Sequence, residues 1–335
     1  MIESGKSHDV VNHEELYTKT STVSISCDLV LQHTQMSKPR GSHALPNHVQ
    51  LMDFVSSILP VHASDVPFAY HSPRGRGYDP AKATISHVVL SITPTSGVYS
   101  KLHEFAQENR RRPLCFLHRP FGLDRKAVPR GTLILASHKR FDEVLTVGYN
   151  TRLATILGLE LDKHVVLQGY KDDPDRLMGI AAPLSSVQDL SSLQSIIHKA
   201  FGQCEMHSGN PMPSEELHAL AIVNAFNPEM VERVATAAQR EGWVQGASAL
   251  GRVLYLTGQA RDTGLEAANT INMPVACVGH RAAEEWGIRH LAQELKQAYP
   301  TMIVSEIYED EEPPNRKPAS TEAKTPPDDQ HPSAN

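Results

Sequence analysis

Three short segments of this chain end an apolar run on side chains able to ligate a cation. His118 closes Pro113–His118 (PLCFLH). Ser137–Asp142 (SHKRFD) follows the run Thr132–Ala136 and sets His138 and Asp142 four residues apart. His280 follows PVACV with only Gly279 between, and Glu284 comes four residues later. Imidazole with carboxylate suits Zn, Mn or Fe rather than Ca. A carboxylate can also bridge two cations, as hydrolytic two-metal sites require. Gly279 removes side-chain bulk where a ligand needs close backbone approach. Taken singly, a histidine after a strand is more often a hydrogen-bonded loop residue than a ligand. Only convergence of the three segments makes a shared centre.

Convergence needs elements that bring distant strand ends to one edge. Val49–Leu59 has helical spacing and stops at Pro60. Ile85–Ile92 reads as a buried strand and Val98–Asn109 as a helix. Pro113–His118 and Thr132–Ala136 are short apolar runs, Asn150–Leu157 is helical, and a strand begins at Val165. Helices at Ser191–Phe201 and Pro228–Glu241 flank a strand at His218–Ala225. Strands at Val253–Thr257 and Val275–Val278 bracket a helix at Thr263–Thr270, and a last strand covers Met302–Ile307. Ala282–Tyr299 is the clearest helix, with Trp286, Ile288, Leu291 and Leu295 on its apolar face and Glu284 in its first turn. Such alternation predicts an α/β chain with parallel or mixed sheets covered by helices, arranged as two lobes. In open α/β sheets ligands gather outside the carboxyl ends of the strands, where these histidines stand.

The expected division is a weakly ordered arm at 1–45 carrying one β-prone run (Ser21–Leu31), then a first lobe at 46–170. An intervening α/β segment at 171–250 and a second-lobe segment at 251–308 follow. From Glu309 the chain turns acidic, then Pro-, Ser- and Lys-rich, which predicts a disordered tail at 309–335.

Composition closes off several functions. The 335 residues carry 32 Lys+Arg against 38 Asp+Glu, so no basic excess suggests direct binding of nucleic acid. No apolar run is long enough to span a bilayer. The first 20 residues resemble neither a secretory signal nor a mitochondrial presequence, which predicts a cytoplasmic or nuclear protein. Cys27, Cys115, Cys204 and Cys277 form no CxxC pair, so a structural zinc site is not expected. Walker and Gly-x-Gly-x-x-Gly motifs are absent, against ATP-driven or dinucleotide chemistry.

Val275–Leu295 (VACVGHRAAEEWGIRHLAQEL) resembles the final motif of the NIF-three-like proteins (NGG-one-interacting factor three), also labelled the GTP cyclohydrolase I type 2 family. That motif is a strand, Gly-His, three residues, Glu, then Gly and an apolar helix. Ser137–Gly158 is similar to the family's His-x-x-x-Asp segment, LCFLHRPF to its His-His-Pro segment, and SITPT stands in place of its Asp-x-Thr. The resemblance covers about 45–309. It implies a two-lobed fold with a metal site between the lobes, and ring-shaped, often hexameric, homo-oligomers. It further implies His118, Asp142, His280 and Glu284 as metal ligands, with His138 lining the site and placed to move a proton.

Three departures qualify the implied site. Arg119 stands where the second His of His-His-Pro belongs, Thr263 lies near the place of another His, and the Trp-Asp-Asn-x-Gly segment expected near Asp65 is missing. An always-charged guanidinium repels cations and can bind a phosphate or carboxylate through two nitrogens. Of one or two divalent metals per chain, one is therefore favoured. The resemblance implies a metal-dependent hydrolase acting on a small nucleotide-like or phosphate-bearing substrate. The alternatives are a non-catalytic adaptor with a protein partner in transcriptional regulation, and a scaffold with an empty cleft.

Overall fold

The computed structural model describes residues 45–75, 77–109, 112–207 and 216–311. The expected arm strand at Ser21–Leu31 lies outside them, as does the tail beyond Glu311. Helix α1 (His48–Ile58) opens the described chain on a capping box: Asn47 Oδ1 accepts from Gln50 N, and Gln50 Oε1 accepts from Asn47 N, each at 2.9 Å. Then come β1 (Ala69–His71), β2 (His87–Ser91), α2 (Ser96–Asn109), β3 (Leu114–Leu117), β4 (Leu133–Ala136), α3 (Lys139–Val144) and α4 (Thr151–Ile156). The second half runs β5 (Val165–Tyr170), β6 (Asp173–Asp189), α5 (Leu190–Phe201), β7 (Glu205–His207), β8 (Glu216–Val223) and α6 (Pro228–Arg240). It ends with β9 (Val253–Thr257), α7 (Asp262–Thr270), β10 (Val275–Cys277), α8 (His280–Ala298) and β11 (Ile303–Ile307).

These strands make two mixed sheets, as the alternating pattern predicts. The first is ordered β1-β4-β3-β2-β11, with β4, β3, β2 and β11 mutually parallel and β1 antiparallel at the edge. The second is ordered β5-β6-β8-β9-β10-β7, parallel across β8-β9-β10 and antiparallel elsewhere. Burial on both faces explains why the parallel strands read as unbroken apolar runs. Val88 and Leu90 of β2 face α1 and α8, whereas Val89 faces Val98, Leu102 and Phe105 of α2. In β9, Leu254 and Leu256 pack with α5, and Val253 and Tyr255 with α6.

Helix α8 serves both sheets. Ala282, Ala283 and Trp286 belong to the core of the second sheet; Ile288, Leu291, Ala292 and Leu295 belong to that of the first. The stretch after β4 makes the same crossing: Phe141 and Leu145 sit in the first core, Val147 and Leu153 in the second. The two crossings meet at Gly287, where an added Cβ would lie 2.6 Å from Leu145 O and from the Phe141 ring. Only glycine permits that approach.

Three expectations need correction. A strand beginning at Val165 was expected, but the 17-residue β6 was not. Pro174, Gly179 and Pro183 break its sequence pattern, and the ladder slips between Pro183 and Gln188 to accommodate the irregularity. Helix α8 begins at His280, so Glu284 lies in its second turn rather than its first. Finally, residues 309–311, expected to open a disordered tail, are held against the body of the protein: Glu309 and Glu311 accept from Gly97, Arg281 and Arg119. Among the described residues no helix is long and apolar enough to cross a membrane.

Candidate metal centre

The carboxyl ends of β3 and β4 point toward the crossing of α3 and α8. His118 follows β3 and is fully buried, its ring stacked on Phe141 at 4.4 Å between centroids. Its Nδ1 lies 3.1 Å from Ser137 O. A carbonyl can only accept, so Nδ1 carries the hydrogen and Nε2 is the nitrogen presented to the site. That Nε2 is 3.3 Å from Asp142 Oδ1 and 3.2 Å from Glu284 Oε1. Glu284 Oε1 is also 3.2 Å from His280 Nε2. Donor atoms about 2.1 Å from one ion stand roughly 3.0–3.4 Å apart, so these separations suit a shared cation.

His138 belongs with them. Its ring centroid is 5.0 Å from that of His118, and one donor atom each from His118, His138 and Asp142 lies within 4.8 Å of the others. The resemblance assigns His138 only a lining role; its position is that of a third donor. The structure thus brings together His118, His138, Asp142, Glu284 and His280 from three segments of the chain. Their side-chain atoms are left wanting partners: His118 Nε2, His138 Nδ1 and Glu284 Oε1 are buried without a hydrogen bond of proper geometry. Beside them a cavity of about 10 Å3, lined by Asp142, Thr146, Asn224, His280 and Glu284, has room for a single water-sized body.

Arg119 enters from the other side. Its Nη2 is 3.3 Å from Glu284 Oε2 and 2.7 Å from Glu311 Oε1. The guanidinium therefore occupies the second oxygen of the carboxylate whose first oxygen faces the two histidines.

The electrostatics follow from this geometry. Burial alone would lower the His118 pKa, but Asp142 and Glu284 outweigh it and raise it to about 9. Burial alone would raise that of Glu284, but His118 and His280 hold it well below the ordinary carboxylate range. Contact with Glu284 raises His280, outweighing the partial desolvation of a ring that remains more than half exposed. His138 is shifted down, first by burial and then by the charge of His118, so its ring stays neutral near pH 7.

Sequence reasoning missed the residue that sets the α3 segment. Asp65 accepts from the backbone N–H of His138 (2.9 Å), Lys139 (3.0 Å) and Arg140 (3.0 Å), and from Ser137 Oγ (3.0 Å). It caps the helix that carries His138 and Asp142. Burial would raise its pKa, but the three N–H groups hold it below normal. Its one sequence signal was position: Asp65 lies where the family motif expects its aspartate, without the flanking residues. Asp142 is steadied from its other end by Thr146, whose Oγ1 donates to Asp142 O at 2.5 Å.

A family model, Duf34/NIF3 (NGG1p interacting factor 3), matches residues 124–313, more than half the chain. No curated protein matches it. Among solved structures, protein SA1388 of Staphylococcus aureus is similar at 13% identity and TM-score 0.53, over 80% of this chain and 98% of that one. TTHA1606 of Thermus thermophilus is similar at 17% and 0.50, over 79% and 99%. A Bacillus cereus protein related to NIF3 is similar at 11% and 0.50, over 80% and 98%. At such identities the likenesses show a common fold.

Proposed function

The chain belongs to the Duf34/NIF3 family, and on that premise we propose that it holds one divalent metal, Zn, Mn or Fe, and is a hydrolase acting on a small nucleotide-like or phosphate-bearing substrate. The observation that carries this reading is the set of buried atoms without a well-formed hydrogen bond (His118 Nε2, His138 Nδ1 and Glu284 Oε1) clustered beside Asp142. Imidazole nitrogens and carboxylate oxygens all offer lone pairs, and their mixture fits a borderline transition metal. His118, His138 and Asp142 would hold the ion, with Glu284 and His280 adjoining. A divalent ion there supplies Lewis acidity and positive charge for an attacked phosphorus or carbonyl.

The chain's own groups supply the rest. The Ser137 carbonyl fixes the His118 ring. Asp65 orients His138 through its backbone, and burial together with the charge of His118 disfavours a proton on its ring, which leaves a lone pair for the ion. Arg119 faces outward at 28% exposure and offers N–H groups to an anion. A second ion is disfavoured because Arg119 already holds Glu284 Oε2. His118 exchanges a proton for the ion, so affinity strengthens as pH rises toward about 9. The family likeness also supports a homo-oligomer, and the cysteines, unpaired among the described residues, accord with the cytoplasm or nucleus.

Arg119 in place of a ligand supports one other reading, that of a metal-binding adaptor without turnover. Elemental analysis of chain purified without chelator, followed by a nucleoside-phosphate panel with and without added metal, decides between them. One metal with metal-dependent phosphate release is expected. One metal without turnover leaves the adaptor, and no metal uptake overturns both. Light scattering that returned a single 36.9 kDa species would remove the oligomer.

A further inference from the structure

Arg119 touches two carboxylates, and only one of them belongs to the buried site. The other comes from Glu311, four residues past the end of β11. The segment carrying it is fixed at three places, and two of the anchors adjoin the metal centre: Arg119 contacts Glu284, and Arg281 follows His280. Glu309 Oε2 accepts from Gly97 N at 2.8 Å, in the first turn of the 14-residue α2. Glu309 O accepts from Arg281 Nη2 at 2.9 Å, and Arg281 is the neighbour of His280. Glu311 Oε1 meets Arg119 at 2.7 Å. Position 97 suits the first of these contacts, since any Cβ there would overlap the Glu309 carboxylate. Acidic side chains in solvent have no need of such fixing. Here two of them lie on N–H donors that would equally receive phosphate oxygens.

We propose that Glu309–Glu311 is a built-in occupant of an anion subsite beside the metal centre, a strap that a phosphate-bearing ligand must displace from Arg119. The inference rests on the reading of the site as one for phosphate-bearing ligands and adds a regulatory device to it. Arg119 Nη2 has two hydrogens, and Glu284 and Glu311 take both, so a phosphate that binds through this nitrogen must replace one of them. Glu284 is buried and held by two histidines, so Glu311 is the partner that leaves. Ligand binding and release of the acidic segment are then one exchange, and whatever pulls the segment away opens the site.

The test is binding of inorganic pyrophosphate to the full chain by calorimetry, with metal content measured on the same samples. The Glu309→Gln/Glu311→Gln double variant is expected to bind pyrophosphate about tenfold more tightly than the unaltered chain. Gly97→Ala, which evicts Glu309 without altering any charge, should give a smaller gain in the same direction. Arg119→Gln should abolish the binding in either background. Unchanged or weaker binding in the double variant overturns the strap, as does undetectable binding in both it and the parent. Retention of binding by Arg119→Gln overturns the subsite. Metal content tests the metal reading separately, because none of these side chains except Arg119 approaches the donor atoms.

Discussion

Helix α3 separates two clusters of buried charge, one reached by Asp142 and the other by its neighbour Glu143. Glu143 lies 2.5 Å from Arg140 Nη1 and 3.4 Å from Arg176 Nε. Burial raises its pKa and the two guanidinium groups pull the other way. Asp142 faces His118 at 3.3 Å, with Glu284 just beyond. Both clusters mix acids with cationic side chains at similar depth, and Arg176 touches both, 4.0 Å from Asp142 Oδ2. The difference lies in lone pairs. Guanidinium groups only donate, so the Glu143 cluster contains its own cations and offers nothing to a metal. Imidazoles can give up a proton and present nitrogen, so the Asp142 cluster can exchange its positive charge for an ion. Charged residues at a sheet edge therefore mark a candidate site only when their atoms can accept.

The largest effect expected from this contrast is on metal. His118→Ala or Asp142→Asn should take the metal content from one per chain to near zero, whereas Glu143→Gln should leave it unchanged. Equal loss in Glu143→Gln would erase the distinction between the clusters. Arg119→His exchanges a pure donor for a ligand beside Glu284 and should raise the content toward two. A constant value of one after that change would mean the guanidinium does not set the stoichiometry.

Stability should separate the clusters in the opposite sense. Glu143→Ala strands two arginines that are mostly buried and should cost about 3 kcal/mol, read as a lower denaturant midpoint. A loss below ~1 kcal/mol would show that solvent already screens them. Far from both clusters, His48 is buried with Nδ1 2.7 Å from Tyr78 Oη, and burial lowers its pKa to about 4. Between about pH 6.5 and 4 the unfolded chain takes up a proton that folded His48 refuses. Stability is therefore complete above that window and falls by about 3 kcal/mol as pH drops through it. His48→Phe should flatten this dependence; an unaltered slope would assign it to the other histidines whose pKa burial lowers, such as His138 and His290. Asp65→Ala should have the smallest effect, ~1–2 kcal/mol for a lost helix cap, with weaker metal binding because His138 and Asp142 lose their anchor. Unaltered metal affinity would confine Asp65 to the fold.

Much of this was legible because parallel strands buried on both faces must be apolar throughout, and chemistry collects at their carboxyl ends. PLCFLH and TLILA stood out for that reason, and with them His118, His138 and Asp142. β6 was hidden because prolines and a glycine interrupt it, and its antiparallel partners tolerate the resulting bulge. Asp65 was hidden because a carboxylate that caps a helix through three backbone N–H groups has no counterpart pattern in the distant segment it caps.

By itself, then, the sequence determined most of the helices and the buried parallel strands, with the residues that stand at their ends, since periodicity and local caps act over a few positions. Only the tertiary structure decided that β11 returns to pair with β2 and that α8 crosses from one core to the other. It also decided that Arg119 divides its charge between Glu284 and Glu311, 165 and 192 residues further on. Those outcomes depend on burial and on pairing between distant groups, and neither is written in the spacing of neighbours along the chain.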